Sequence, residues 1–180
     1  MDNGKISVRY ARALLNFANE QHCESEVYGN LTQLTANYSE AINQFNEVLS
    51  NPMVDSGDKI ELLKAAIGES VHPCLIRFFE FLTEKKRENK IFVIALKYQE
   101  MYRKEKNLLL ANVTTATELS DKALNKIREY VVRTFNCGVE MHVKVDPKLI
   151  GGFILDIEHD RMDASITGQL EKWKTEQLNN

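Results

Sequence analysis

The sequence predicts an all-α N-terminal domain, residues 1–105, followed by a small α+β domain, residues 108–180, in the order β-α-β-β-α. Three observations carry this. Apolar residues recur at helical spacing through the first hundred or so positions. The charged stretch "RKEKN" at 103–107 ends that periodicity. Beyond it, segments with strand-like alternation flank one amphipathic helix.

The opening helix, "KISVRYARALLNFANEQ", gathers Lys5, Arg9, Arg12, Asn16, Asn19 and Glu20 on one arc. The rest of its circumference is apolar. Ile6, Tyr10, Ala13, Leu14 and Phe17 form one stripe, and Val8, Ala11, Leu15 and Ala18 form a second beside it, where a surface helix needs only one. From Glu24 to Leu49 the spacing predicts a single helix with Val27, Leu31, Leu34, Tyr38, Ile42, Phe45 and Leu49 on one face. "NPMVDSG" breaks the chain, Asp55 or Ser56 can cap the short helix "DKIELLKAAIG", and Gly68 closes it. After "HP", "CLIRFFEFLTEKK" is again apolar over more than half its circumference, with Cys74, Leu75, Phe78 and Leu82 on one side and Ile76 and Phe79 beside them. A last helix presents Ile91, Ile94, Ala95, Tyr98, Met101 and Tyr102 on one face.

In the second domain "LLLANVTTA" is β-rich. "LSDKALNKIREYVVRTF" is a helix with Ser120 as N-cap and a Leu119–Leu124 staple, and "NCG" ends it. "VEMHVKVD" alternates, with Val139, Met141, Val143 and Val145 expected inward. A further strand is expected from about Ile150 to Ile157, with two glycines at its start. Ile166, Leu170 and Trp173 predict a terminal amphipathic helix.

Charge and composition remove several classes of function. Net charge is −3 and the 23 basic residues are scattered, so no basic face suits nucleic acid. This argues against a small helical regulatory or nucleic-acid-binding module. Cys23, Cys74 and Cys137 are odd in number and far apart, which points to a reducing compartment and no disulfide framework. No leader pattern opens the chain and no apolar run approaches the ~18 residues of a membrane span, so a soluble protein is expected.

The strongest enzyme lead is the cluster Asp156, Glu158, His159, Asp160 and Asp163, which a metal-dependent hydrolase could use. Divalent-metal sites need three or four ligands converging from rigid elements, whereas charges at a hairpin end are what solvent favours. Asp163 sits where a helix cap belongs. His22 beside Cys23, and His72 near Cys74, resemble fragments of a ligand set but lack zinc-motif spacing. The glycines at 151–152 lie in a strand, where they mark a bulge or a close backbone approach rather than a phosphate loop. No catalytic residue, metal ligand or cofactor is assigned. The apolar excess on the first helix and on the Cys74–Leu82 helix remains, and two readings fit it: a central place in the bundle, or a groove for a partner's helix.

Three stretches resemble one family. "RYARALLNFA", "NPMVDSGDKIELLKAA" and "VDPKLIGGFILDIEHDRMDASITGQLEKW" are similar, in that order, to the delta subunit of bacterial F-type ATP synthase, the counterpart of the mitochondrial oligomycin-sensitivity-conferring protein. The resemblance spans essentially the whole chain. It implies a non-catalytic stator component with an N-terminal six-helix bundle that grips the N-termini of alpha subunits. The C-terminal domain would hold the peripheral-stalk b subunits. The implied setting is one copy per complex, peripheral, at the cytoplasmic face of a bacterial membrane, with no nucleic acid and no insertion into lipid. It favours the groove reading, lined by Tyr10, Leu14, Phe17, Leu75, Ile76 and Phe79. It also implies structural roles for Gly151, Gly152, Asp163, Ser165 and Leu170.

Overall fold

In the computed structural model, which describes residues 3–68, 70–157, 160–166, 168 and 169, six helices precede a four-stranded sheet with one further helix. The chain divides into two units, Met1–Tyr102 and Arg103–Asn180.

The first unit contains α1 (Asn3–Glu20), α2 (Glu24–Glu40), α3 (Ile42–Ser50), α4 (Ser56–Ile67), α5 (Pro73–Glu84), a 3-10 turn (Glu88–Lys90) and the start of α6 (Ile91–Glu105). Helix α2 buries Val27, Leu31, Leu34, Thr35 and Tyr38, and α6 buries Ile94, Ala95, Tyr98, Gln99 and Tyr102. These two helices are tied by polar as well as apolar contacts. The Gln99 amide donates to Leu31 O at 3.0 Å and to Thr35 Oγ1 at 2.9 Å, and the Tyr98 hydroxyl donates to Glu24 O at 3.0 Å. Each buried polar group thereby avoids the ~1–3 kcal/mol penalty of an unmade hydrogen bond. Burial raises the pKa of both Tyr38 and Tyr98, so these phenols stay protonated donors.

The single helix expected over 24–49 is two helices. Ala41 leaves the helical region (φ −129°, ψ 37°) and separates α2 from α3. The cause is Tyr38. Its ring stacks on Phe45 at 4.6 Å and on Phe92 at 4.8 Å, and its hydroxyl donates to Asn46 Oδ1 at 2.9 Å. In a continuous helix residues seven apart rise by about 10.5 Å. Packing Phe45 onto Tyr38 is therefore bought with a bend.

Capping fixes the remaining helix ends. Asp55 Oδ2 accepts from the Gly57 amide at 2.8 Å at the start of α4, and Gly68 (φ 108°) ends it. At the start of α5, His72 Nδ1 accepts from the Cys74 amide and Pro73 occupies the first turn. Lys59 and Glu88 form a buried ion pair at 2.6 Å between α4 and the 3-10 turn.

The second unit is β1 (Leu108–Thr115), α7 (Asp121–Phe135), β2 (Gly138–Val145), β3 (Phe153–Ile157) and β4 (Asp160–Asp163). The sheet order is β2-β1-β3-β4, with β1 parallel to β2 and antiparallel to β3, and β3 antiparallel to β4. The parallel β1–β2 pair requires a crossover, and α7 supplies it. Ser120 Oγ caps α7 at its start, and Asn136 ends it in the left-handed region (φ 51°). The core of this unit is Ala111, Val113, Val131, Leu155 and Ile157, flanked by Leu109, Leu119, Ile127, Val139, Met141 and Phe153.

Two details depart from the sequence reading. Asp160–Asp163 forms a fourth strand, because Leu155 pairs with Met162 and Asp156 with Arg161 across the β3 edge. Val143 and Val145 are exposed rather than inward, since they lie at the far end of an edge strand. Of the expected terminal helix, Ile166, Gly168 and Gln169 are helical, while Leu170 and Trp173 lie outside the described residues.

The helical unit holds its own core, aromatic stacks and buried polar bonds. A fragment of residues 1–105 is therefore expected to fold alone, with a strongly helical circular dichroism spectrum and one cooperative melt. A fragment that stays unfolded in buffer contradicts this independence.

Candidate functional site

Helix α1 settles its two apolar stripes unequally. Ser7, Ala11, Leu14, Leu15 and Ala18 are buried, whereas Ile6, Tyr10 and Phe17 are only half-buried and Ala13 is exposed. Helix α5 behaves alike: Leu75, Phe78, Phe79 and Leu82 are buried, and Phe81 is 42% exposed. The two leftovers meet. Ala13, Leu14, Phe17, Arg77, Phe78 and Phe81 line an open, almost wholly apolar groove of about 200 Å³. Tyr10 extends it, with its ring 5.9 Å from that of Phe81. Cations stand at its rim. The Arg9 guanidinium lies 5.7 Å from the Tyr10 ring centre and the Lys85 ammonium 5.8 Å from that of Phe81.

The residues expected to line a groove therefore divide. Tyr10 and Phe17 flank it, and Leu14 touches its floor while being 1% exposed. Leu75 and Phe79 are 0% exposed and belong to the core, and half-buried Ile76 is not among the lining residues. The α5 side is formed instead by Arg77, Phe78 and Phe81. A one-residue shift around a helix is about 100°, and α5 is apolar over so wide an arc that periodicity alone does not choose its buried centre.

The second unit has a comparable apolar surface. Lys126, Ile127, Tyr130, Phe153, Leu155 and Met162 line an open groove of about 280 Å³ between α7 and the sheet.

The glycines and acids of the C-terminal motif form a backbone clamp. Gly152 adopts φ 81°, and a Cβ there would lie 2.3 Å from Ala164 O. A Cβ on Gly151 would meet the end of the Ile166 side chain at 2.8 Å. Their absence lets two segments lie together, with the Ala164 amide donating to Phe153 O at 2.9 Å and the Ile166 amide to Gly151 O at 3.0 Å. Asp163 is not the helix cap. Ser165 is: its hydroxyl oxygen accepts from the Gly168 amide at 3.0 Å. Asp163 Oδ1 braces that cap, accepting from the Ser165 amide at 2.9 Å and its hydroxyl at 2.6 Å. The Asp163 carboxylate is committed to this turn, and Asp156 faces Arg161 at 3.7 Å. Glu158 and His159 lie outside the described residues. Asp156 and Asp163 are thus engaged in local structure, which does not favour a hydrolase.

Exposed apolar grooves on both units are the kind of surface on which other chains dock. The model of the family described as "ATP synthase delta (OSCP) subunit" matches residues 6–176. A protein named ATP synthase subunit delta from Phocaeicola vulgatus is 37% identical over 172 residues, covering 95% of this chain and 92% of the relative. Its namesake from Parabacteroides distasonis is 36% identical over 180 residues, covering 100% and 99%. In three dimensions the chain is similar to one in a cryo-EM structure of the Toxoplasma gondii mitochondrial ATP synthase hexamer, with a TM-score of 0.66, 19% identity and coverage of 96% and 97%. That likeness concerns the fold. This chain belongs to the ATP synthase delta (OSCP) subunit family and is a non-catalytic stator subunit of an F-type ATP synthase. No described helix is long and apolar enough to cross a membrane.

Gly152→Ala combines an unfavourable φ with a backbone clash, so it should destabilise the second unit by about 2 kcal/mol or more in chemical denaturation. Ser165→Ala should cost ~1 kcal/mol as a lost cap. Wild-type stability of Gly152→Ala would contradict the clamp.

Proposed function

We propose that this subunit joins the catalytic head to the peripheral stalk at the cytoplasmic face of a bacterial membrane. The helical unit takes the N-terminal helix of an alpha subunit into the α1–α5 groove, and the α+β unit takes the end of the b subunits. The observation that carries the reading is the uncovered stripe Tyr10–Ala13–Phe17 facing Phe78 and Phe81. An amphipathic partner helix offers what such a stripe lacks, a second apolar face at matching i, i+3, i+7 spacing.

A stator must resist torque, so the contact must be tight. A buried aromatic anchor can supply ~2 kcal/mol or more, and a micromolar complex needs about 8 kcal/mol. Tyr10, Phe17 and Phe81 are such anchors. Arg9, Arg77 and Lys85 at the margin suit a partner helix with acidic flanks and would steer its approach more than they hold it. In the second unit, Tyr130, Phe153 and Met162 offer a similar apolar bed for b.

Phe81→Asp separates binding from folding. Its side chain is already 42% exposed, so a carboxylate stays solvated in the free chain but is stranded beneath a bound helix. Titration of a synthetic alpha N-terminal peptide, read by calorimetry, should weaken at least tenfold, a change of about 1.4 kcal/mol, while Tm barely moves. Phe79→Ala, by contrast, should lower stability by about 3–5 kcal/mol. Unchanged peptide affinity in Phe81→Asp places the alpha contact elsewhere.

A further inference from the structure

The fold brings together three metal-ligating side chains that lie far apart in sequence. Cys23 follows α1, and His72 and Cys74 open α5, about fifty residues later. One donor atom from each lies within 4.8 Å of the other two, and both cysteines are buried.

Cys23 and the His72–Pro73–Cys74 turn are held by separate local structure. At the end of α1, His22 turns into the left-handed region (φ 54°), the Cys23 amide donates to Ala18 O at 3.0 Å and the His22 amide to Asn19 O at 3.1 Å. This is a Schellman closure, which fixes the position of Cys23. His72 is anchored through its own amide, which donates to Asn30 Oδ1 at 2.9 Å, while the Asn30 amide group donates to Ser70 O at 2.9 Å. Pro73 then stiffens the step to Cys74. The two thiols are close neighbours, and His72 Nδ1 lies 3.2 Å from the Cys74 amide. His72 Nε2 is 3.7 Å from Glu26 Oε2.

We propose that Cys23, His72 and Cys74 form a binding site for a borderline-soft divalent cation of the zinc class. Two thiolates and one imidazole are a donor set that zinc prefers over magnesium or calcium. Tetrahedral zinc with bonds to sulfur of ~2.3 Å sets sulfurs about 3.8 Å apart, so side-chain shifts of about 1 Å close the site. Two thiol protons leave to solvent, and the doubly negative sulfur pair is neutralised by the ion. Ligation through His72 Nδ1 replaces its hydrogen bond from the Cys74 amide, since one lone pair cannot serve both, and Glu26 accepts from Nε2–H, the carboxylate–histidine–metal arrangement that orients a ligating ring. Water completes the fourth position. The ion would pin the α1–α2 turn to the start of α5, the two helices that line the groove.

The test uses the full chain, kept reduced with a phosphine and titrated with Co(II) as a spectroscopic probe for zinc. One equivalent should give thiolate-to-cobalt charge-transfer and tetrahedral d–d bands, bleached by added zinc. Cys137→Ser should leave them unchanged, and Cys23→Ser and Cys74→Ser should abolish them. His72→Asn retains a helix cap but loses the ligand, and Glu26→Gln loses the orienting carboxylate; each should weaken binding about tenfold or more. If either serine variant fails to fold by circular dichroism, His72→Asn and Glu26→Gln decide. No bands from the parent chain, bands that survive in folded Cys23→Ser or Cys74→Ser, or undiminished affinity in both His72→Asn and Glu26→Gln, overturn the proposal.

Discussion

Helices α1 and α5 carry apolar side chains over more of their circumference than one bundle core can cover, and what the core leaves over decides what this unit can bind. The core takes Ala11, Leu14, Leu15 and Ala18 from α1, and Leu75, Phe79 and Leu82 from α5. Tyr10, Phe17 and Phe81 remain at the surface in one place. An exposed apolar patch invites nonspecific association, which makes it the candidate surface for a partner. The cations at its edge reduce that risk, because Arg9 and Lys85 lie over the rings and keep them wetted in the free subunit.

The second unit adds backbone constraint to its core. Among the described residues, five buried apolar side chains form its centre. Backbone geometry adds to this. Gly151 and Gly152 let the segment entering β3 lie against Ala164–Ile166, and Asp163 and Ser165 lock the turn that follows β4. Strand, turn and first helical turn are thereby joined through short polar bonds rather than through bulk. Such a clamp transmits load without a large hydrophobic interior, which suits a subunit whose work is to resist rotation.

Much of this was legible from residue spacing, and the exceptions have physical causes. The helices of the first unit, the caps Asp55 and Ser120, and the placing of β2 follow from local pattern, but its alternation does not carry through to Val143 and Val145, which the edge of the sheet leaves exposed. The break at Ala41 does not, since neither proline nor glycine stands there; it follows from the tertiary stacking of Tyr38 on Phe45 and Phe92. Strand β4 carries the sequence "DRMD", with one apolar residue, and becomes a strand because the edge of β3 is there to pair with. In the groove, Tyr10 and Phe17 were readable as surplus, but Leu75 and Phe79 were exchanged for Phe78 and Phe81 because α5 is apolar over more than half its circumference. The Cys23–His72–Cys74 cluster was invisible to motif spacing, since the fold assembles it from two helix ends about fifty residues apart. An opening "HPC" beside a lone upstream cysteine was the only trace.

The central claim is that the leftover apolar stripe, and not another face of the helical unit, receives the partner helix. Backbone and methyl chemical-shift mapping of the full-length chain against an alpha-subunit N-terminal peptide addresses it directly. Perturbations are expected to concentrate in residues 9–17 of α1 and in 77–85 of α5 and its C-cap, with little change at a separate open cleft lined by Glu26, Ile67 and Ser70. Saturable binding whose perturbations centre on that second region, with Phe17 and Phe81 unmoved, would contradict it.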